Sequence, residues 1–178
     1  MRRDRRPPGR GVHSHQGLYL ATAASGALVD QCGKLWAVAR FGDGSTLATG
    51  PVGFEVSRNP GAAFGMGRGL TPWITALTLA AVVVLLVTGR RVRSRGRAFA
   101  LGLVTAGAAG NGIDRLARSP GAGRGAVVDW VHVAPYPPVF NLADVALRVG
   151  VLLVLALLVR RQRPAPAAPP ADSASAGP

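Results

Sequence analysis

The sequence predicts an all-α integral membrane protein, four transmembrane helices with a small extracytoplasmic loop region that has room for short β-strands. Three observations lead there. Of the 178 residues 48% are hydrophobic but only 6% aromatic, so Ala, Val, Leu and Gly carry the apolar content, and small residues suit helices that pack closely in lipid. Apolar runs recur along the chain at lengths near the lower limit for crossing a hydrocarbon core of about 30 Å. The formal charge of +13 is almost wholly arginine, with Lys34 the single lysine, and the arginines stand in blocks beside those runs. Aromatics to stack on bases are not interleaved with them, so the charge marks cytoplasmic loop ends rather than a nucleic-acid partner.

Residues 1–16 form a basic tail, in which Arg2, Arg3, Arg5, Arg6 and Arg10 stand among prolines and glycines; this composition predicts a disordered cytoplasmic segment. A four-helix membrane domain follows over 17–159. Its first span begins at Gly17 and continues past Asp30, Gln31 and Lys34 to about Ala39. A cleaved secretory signal would begin in the same way, but further apolar runs favour a retained span. Phe41 to Leu70 is glycine-rich and polar; alternating Val52, Phe54 and Val56 are compatible with short strands, and Pro60-Gly61 signals a turn. Thr71-Pro72 supplies a cap and a first-turn proline for the second span, Trp73 to Val87, with Trp73 as its interfacial anchor.

Arg90, Arg91, Arg93, Arg95 and Arg97 make the next loop cytoplasmic. The third span, Ala98 to Ile113, is thinned by Gly102, Gly107 and Gly110 so that a neighbour can approach. The fourth runs from about Ala143 to Val159, and residues 160–178 form a Pro/Ala-rich tail expected to be disordered and cytoplasmic. With both termini and the arginine loop inside, the loops before the second and fourth spans face outward. His13, His15 and His132 are too scattered to hold a metal, and the lone Cys32 is expected to be a small buried filler. No metal or cofactor is implied.

Three of the eight acids, Asp114, Asp129 and Asp144, fall where apolar runs meet the outer loops, a placement that costs free energy and points to function. Asn111 to Asp114 and Asn141 to Asp144 repeat an Asn-x-x-Asp spacing, which on a helix presents an amide beside a carboxylate. Capping explains part of it, since Asn141 and Asp144 suit a helix start. Arg115 next to Asp114 favours the ionised form of that carboxyl and a supporting role. Val127, Val128, Trp130 and Val131 around Asp129 act to raise its pKa by desolvation. If Asp129 and Asp144 approach, the two hold one proton between them. Such a pair hydrolyses peptides without metal: one carboxylate takes a proton from water while its protonated partner polarises the carbonyl.

The motifs Asp30-Gln31-x-x-Lys34, Asn59-Pro60-Gly61-Ala62-Ala63-Phe64, Gly110-Asn111-Gly112-Ile113-Asp114-Arg115, Val127-Val128-Asp129-Trp130 and Phe140-Asn141-Leu142-Ala143-Asp144 stand in order. Together they resemble lipoprotein signal peptidase (signal peptidase II). The resemblance implies a multi-pass aspartic endopeptidase of the bacterial cytoplasmic (inner) membrane. It would act on the extracytoplasmic side, cleaving prolipoproteins before a diacylglyceryl-modified cysteine, as a monomer among membrane lipids. It implies catalytic Asp129 and Asp144, with Asp30, Asn59, Asn111, Asp114, Arg115 and Asn141 binding substrate or supporting the site. Pro60 departs from the family's usual threonine, and Arg148, four residues after Asp144, stands within helical reach of it, able to tune its ionisation or turn to another partner. From the residues alone, a non-enzymatic multispanning protein and a proton-coupled carrier stay open as alternatives.

Overall fold

The computed structural model describes residues 10–62, 66–67 and 69–162. Most of both expected tails, and Ala63-Phe64 of the second motif, lie outside the described residues. Four long helices alternate with two strand pairs: α1 (Arg10–Phe41), β1 (Leu47–Thr49), β2 (Val52–Asn59), α2 (Thr71–Gly89), α3 (Arg95–Ala117), β3 (Val127–Val133), β4 (Tyr136–Phe140) and α4 (Leu142–Gln162). α1 starts earlier than the expected first span and takes in residues 10–16. Pro7 and Pro8 precede it, and from Arg10 to Phe41 no proline removes a backbone donor.

α2 and α4 are long and apolar enough to cross a membrane, with mean hydropathies of 2.0 and 2.5. Their outward faces are large apolar side chains, among them Trp73, Leu77, Val84, Leu152 and Leu155. α1 and α3 carry buried charge: Asp30 and Lys34 on one, Asp114 and Arg115 on the other. Cys32 is exposed rather than buried, on an α1 face it shares with exposed Leu28, Leu35 and Trp36.

Beside the helices, the loop region holds the short strands that the sequence allowed. The strands form a single antiparallel sheet in the order β1-β2-β3-β4. β2 was legible from its alternation, whereas Val127 to Val133 reads as a loop in the sequence but pairs with β2 from Val52↔Val133 to Asn59↔Val127. Valines and a tryptophan at five of its seven positions suit a pleated surface. That pairing joins two loops far apart in sequence at one end of the bundle. Trp36, Phe41, Phe54 and Trp130 fix the sheet to the end of α1, with ring centroids 5.5–6.4 Å apart.

Ser94 caps α3 by accepting from Arg97 N. Thr71 does not cap α2, because Leu70 occupies the cap position and the Thr71 hydroxyl donates instead to Pro60 O at 2.8 Å. The threonine thus ties the start of α2 to the loop after β2.

Candidate active site

α3 packs against α1, α2 and α4, while α2 and α4 lean on α3 rather than on each other. Glycine allows the closest approach: a Cβ on Gly107 would run into the Ala143 carbonyl and Leu147, and one on Gly150 would meet Val104 N at 2.7 Å. Between α2 and α4, under the sheet, lies a cavity of about 350 Å³ lined by Asn59, Asn111, Arg115, Asp129 and Asp144 at its polar end. Ile74, Leu77, Thr78 and Ala81 of α2, Gly107 of α3 and Leu147 of α4 line its more apolar part, with Arg148.

Asp129 comes from β3 and Asp144 from the first turn of α4, and Asn141 stands between them. Its Nδ2 donates to Asp129 Oδ1 at 2.6 Å, and its backbone N–H donates to Asp144 Oδ2 at 3.4 Å. The Asn141 side-chain oxygen accepts from Asp144 N at 2.9 Å, so Asn141 also caps α4, with Asp144 reaching back in a capping box. One side chain thus caps α4 and also meets Asp129. Asn111 donates to Asp144 Oδ1 at 3.0 Å and accepts from Lys34 Nζ at 3.0 Å. An amide oxygen that already faces a cation leaves the amide nitrogen to face the carboxylate, which fixes the orientation of Asn111.

Burial pushes the Asp129 carboxyl up to about 7, and the nearby Asp144 charge pushes it the same way, against the lowering effect of Asn141. A carboxyl so placed still holds its proton in part near neutrality.

Asp30 and Asp114 form a second pair behind the first. Lys34 Nζ lies 2.8 Å from a carboxylate oxygen of each, with all three side chains fully buried. Each carboxylate also accepts from a backbone N–H. Asp30 Oδ1 accepts from Ala143 N at 2.8 Å, one residue before Asp144. Asp114 Oδ2, shared with Lys34, accepts from Val128 N at 3.0 Å, one residue before Asp129. Gln31 adds a donor shared between Gly110 O at 3.0 Å and Asp114 Oδ1 at 3.3 Å.

Arg115 does not pair with Asp114, contrary to the sequence expectation. Neighbouring residues on a helix point in different directions, whereas i,i+4 residues meet; Arg118 Nε accordingly reaches Asp114 Oδ1 at 2.7 Å. Arg115 instead donates to Gly61 O at 2.6 Å and Pro60 O at 3.4 Å, holding the loop after β2. Asn59 shapes that loop, accepting from Gly61 N at 2.9 Å and donating to Ala62 O at 3.1 Å. Pro60 contributes its carbonyl to both Arg115 and Thr71, a use that the loss of the family's threonine hydroxyl leaves intact.

All eight expected site residues thus gather at one end of the bundle. Lys34, Gln31 and Arg118 were missing from the expected set. Asp30/Lys34 and Asp114/Arg118 are both i,i+4 pairs of opposite charge, a signal readable in the sequence. Arg148 lines the cavity one turn beyond Asp144, yet among the described residues its only possible acidic partners lie beyond the 4.0 Å of an ion pair.

Comparison with known proteins places the chain in a family. A family model described as signal peptidase (SPase) II matches residues 22–160. The lipoprotein signal peptidase of Rhodococcus jostii is 38% identical over 153 residues, which cover 85% of this chain and 77% of that protein. Its namesake from Methylorubrum extorquens is 41% identical over 171 residues, covering 89% and 91%. A solved structure described as a bacterial membrane enzyme superimposes with a TM-score of 0.71 at 25% identity, over 85% of this chain and 95% of its own. A second of the same description gives 0.68 at 26% identity.

Proposed function

The chain belongs to the signal peptidase II family, and we propose that it is an aspartic endopeptidase whose catalytic residues are Asp129 and Asp144. As a member of that family it is a membrane protease that removes signal peptides from prolipoproteins. The single observation that carries the aspartic reading is the pair itself: two carboxyls on one cavity wall, joined through Asn141, with Asp129 held near 7.

In the proposed reaction the ionised carboxylate takes a proton from water, whose oxygen attacks the scissile carbonyl. The protonated partner donates a hydrogen bond to the carbonyl oxygen as it becomes negative. The tetrahedral centre then collapses, the C–N bond breaks, and the nitrogen leaves with a proton from the pair. Asn111 and Asn141 orient the pair. Asn59 and Arg115 shape the wall that faces the peptide, and Asp30 and Asp114 hold the segments on which the pair sits.

The substrate is a prolipoprotein cut before a cysteine already carrying diacylglycerol. A cavity that is polar at the sheet and apolar between α2 and α4 suits such a molecule, peptide above and acyl chains below. All four helices cross the bacterial cytoplasmic membrane as a monomer. Domain limits are 17–159, with both flanking tails on the cytoplasmic side. The placement of Arg90 to Arg97 opposite the sheet supports that orientation, as does the joining of both outer loops in one sheet.

The test is cleavage of a synthetic diacylglyceryl prolipoprotein peptide, with its unmodified form as control, by purified wild type, Asp129→Asn and Asp144→Asn. Each substitution is expected to lower kcat by about 10³-fold or more while the variant still inserts and elutes as folded protein. Retained cleavage by either variant would sink the pair assignment, and equal cleavage of the two substrates would remove the lipid requirement.

A further inference from the structure

Arg148 is the one cation in the cavity wall that the proposed reaction leaves unused. It lies on the apolar part of α4 four residues beyond Asp144, a rise of about 6 Å toward the bilayer. Among the described residues its guanidinium makes no ion pair, and a cation at that depth is costly unless something accepts its protons. Of the neighbouring walls, Ile74, Leu77 and Ala81 of α2 and Leu147 of α4 offer no side-chain acceptor, and the Thr78 hydroxyl of α2, which donates to Ile74 O at 2.8 Å, makes no hydrogen bond with Arg148. Arg115, the other cation of the cavity, is spent on Pro60 and Gly61.

We infer that Arg148 binds the ester carbonyl oxygens of the diacylglyceryl group, so that the enzyme selects a diester-linked lipid through this side chain. The inference rests on the diacylglyceryl substrate proposed above. With the scissile bond at Asp129 and Asp144, the lipidated cysteine stands at the polar end of the cavity. Its glyceryl unit, a few bonds away, falls where the lining turns from polar to apolar, and that is the level of Arg148. Ester carbonyls are acceptors without charge, and a guanidinium offers several donors in a planar fork. Matching them satisfies both partners in a medium where neither finds water. The acyl chains then leave sideways through the gap between α2 and α4, toward the exposed leucines and valines of those helices.

The experiment compares two synthetic peptides of one sequence, one carrying the diacyl (ester) glyceryl thioether and the other a dialkyl (ether) glyceryl thioether of equal chain length. Wild type and Arg148→Leu are assayed in the same lipid. Wild type is expected to favour the diester in kcat/KM by about tenfold or more, mainly through KM, and Arg148→Leu to cleave both peptides alike. Arg148→Lys is expected to restore part of the preference. A preference that survives in Arg148→Leu, or none in wild type, overturns the inference. An equal loss on both peptides does so too and assigns Arg148 to a peptide carbonyl instead. Cleavage of the diester by wild type tests the proposed substrate separately, so the two failures are distinguishable. Thermal unfolding of Arg148→Leu within a few degrees of wild type ensures that the comparison reads binding.

Discussion

Two aspartate pairs sit back to back in this fold, and they differ in what lies between them. Asp30 and Asp114 share Lys34, a cation 2.8 Å from each. Asp129 and Asp144 share Asn141, a neutral amide. A cation between two carboxylates offsets their charge and settles the pair as a structural joint. An amide can solvate two carboxyls but leaves their repulsion in place, and a shared proton relieves it. In the proposed reaction the same residue type thus serves as scaffold in one place and as an acid–base group in the other. The pairs are also coupled, because Asp30 and Asp114 each hold the backbone N–H just before a member of the other pair.

The largest break in that contrast is Lys34→Met. Removing one partner of a buried ion cluster leaves uncompensated charge, at a cost of about 3–5 kcal/mol. Thermal unfolding in detergent should show a large fall in Tm together with loss of cleavage. Adding Asp30→Asn and Asp114→Asn to that variant should recover part of the Tm. No recovery would mean that Lys34 acts by packing alone.

Asn141→Leu comes next. It removes the bridge and the side-chain cap of α4, with an expected cost of about 1–3 kcal/mol and a fall in kcat of about 10²-fold. A drop in stability with kcat unchanged would reduce Asn141 to a cap.

The smallest effect expected is on stability against pH. Asp129 titrates near 7 when folded, against 3.8 for the free side chain. A group raised in this way lends stability fully below its unfolded value, and that stability is lost as pH rises through the folded value. Asp129→Asn, which never ionises, should therefore gain Tm over wild type at about pH 8 and gain less at about pH 5. An equal gain at both would show that the Asp129 carboxyl is not held up by burial.

Much of this was legible in the sequence, and the reasons are local. Apolar runs and arginine blocks marked the helices, the Asn-x-x-Asp spacing drew attention to Asp114 and Asp144, and apolar neighbours set Asp129 apart. The pairing of β3 with β2 was not legible, because it joins Val52 to Val133 across two intervening helices and no local period reports it. The partner of Asp114 was misread for a different reason: adjacency in sequence was taken for contact, whereas the helix turns Arg115 toward Pro60 and Gly61 and brings up Arg118. Lys34 went unassigned because its role needs two helices at once, α1 to carry it and α3 to supply Asp114. Pro60 looked like a loss of donors until the fold used its carbonyl.

The direct test of a shared proton is infrared spectroscopy of the protein labelled with 13C-carboxyl aspartate in lipid. At about pH 6, below the value near 7, wild type should show the C=O stretch of a buried protonated carboxylic acid, lost as pH rises to about 8. That band should be absent from Asp129→Asn. A wild-type spectrum holding only carboxylate bands at about pH 6, or a band that persists in Asp129→Asn, would contradict the account.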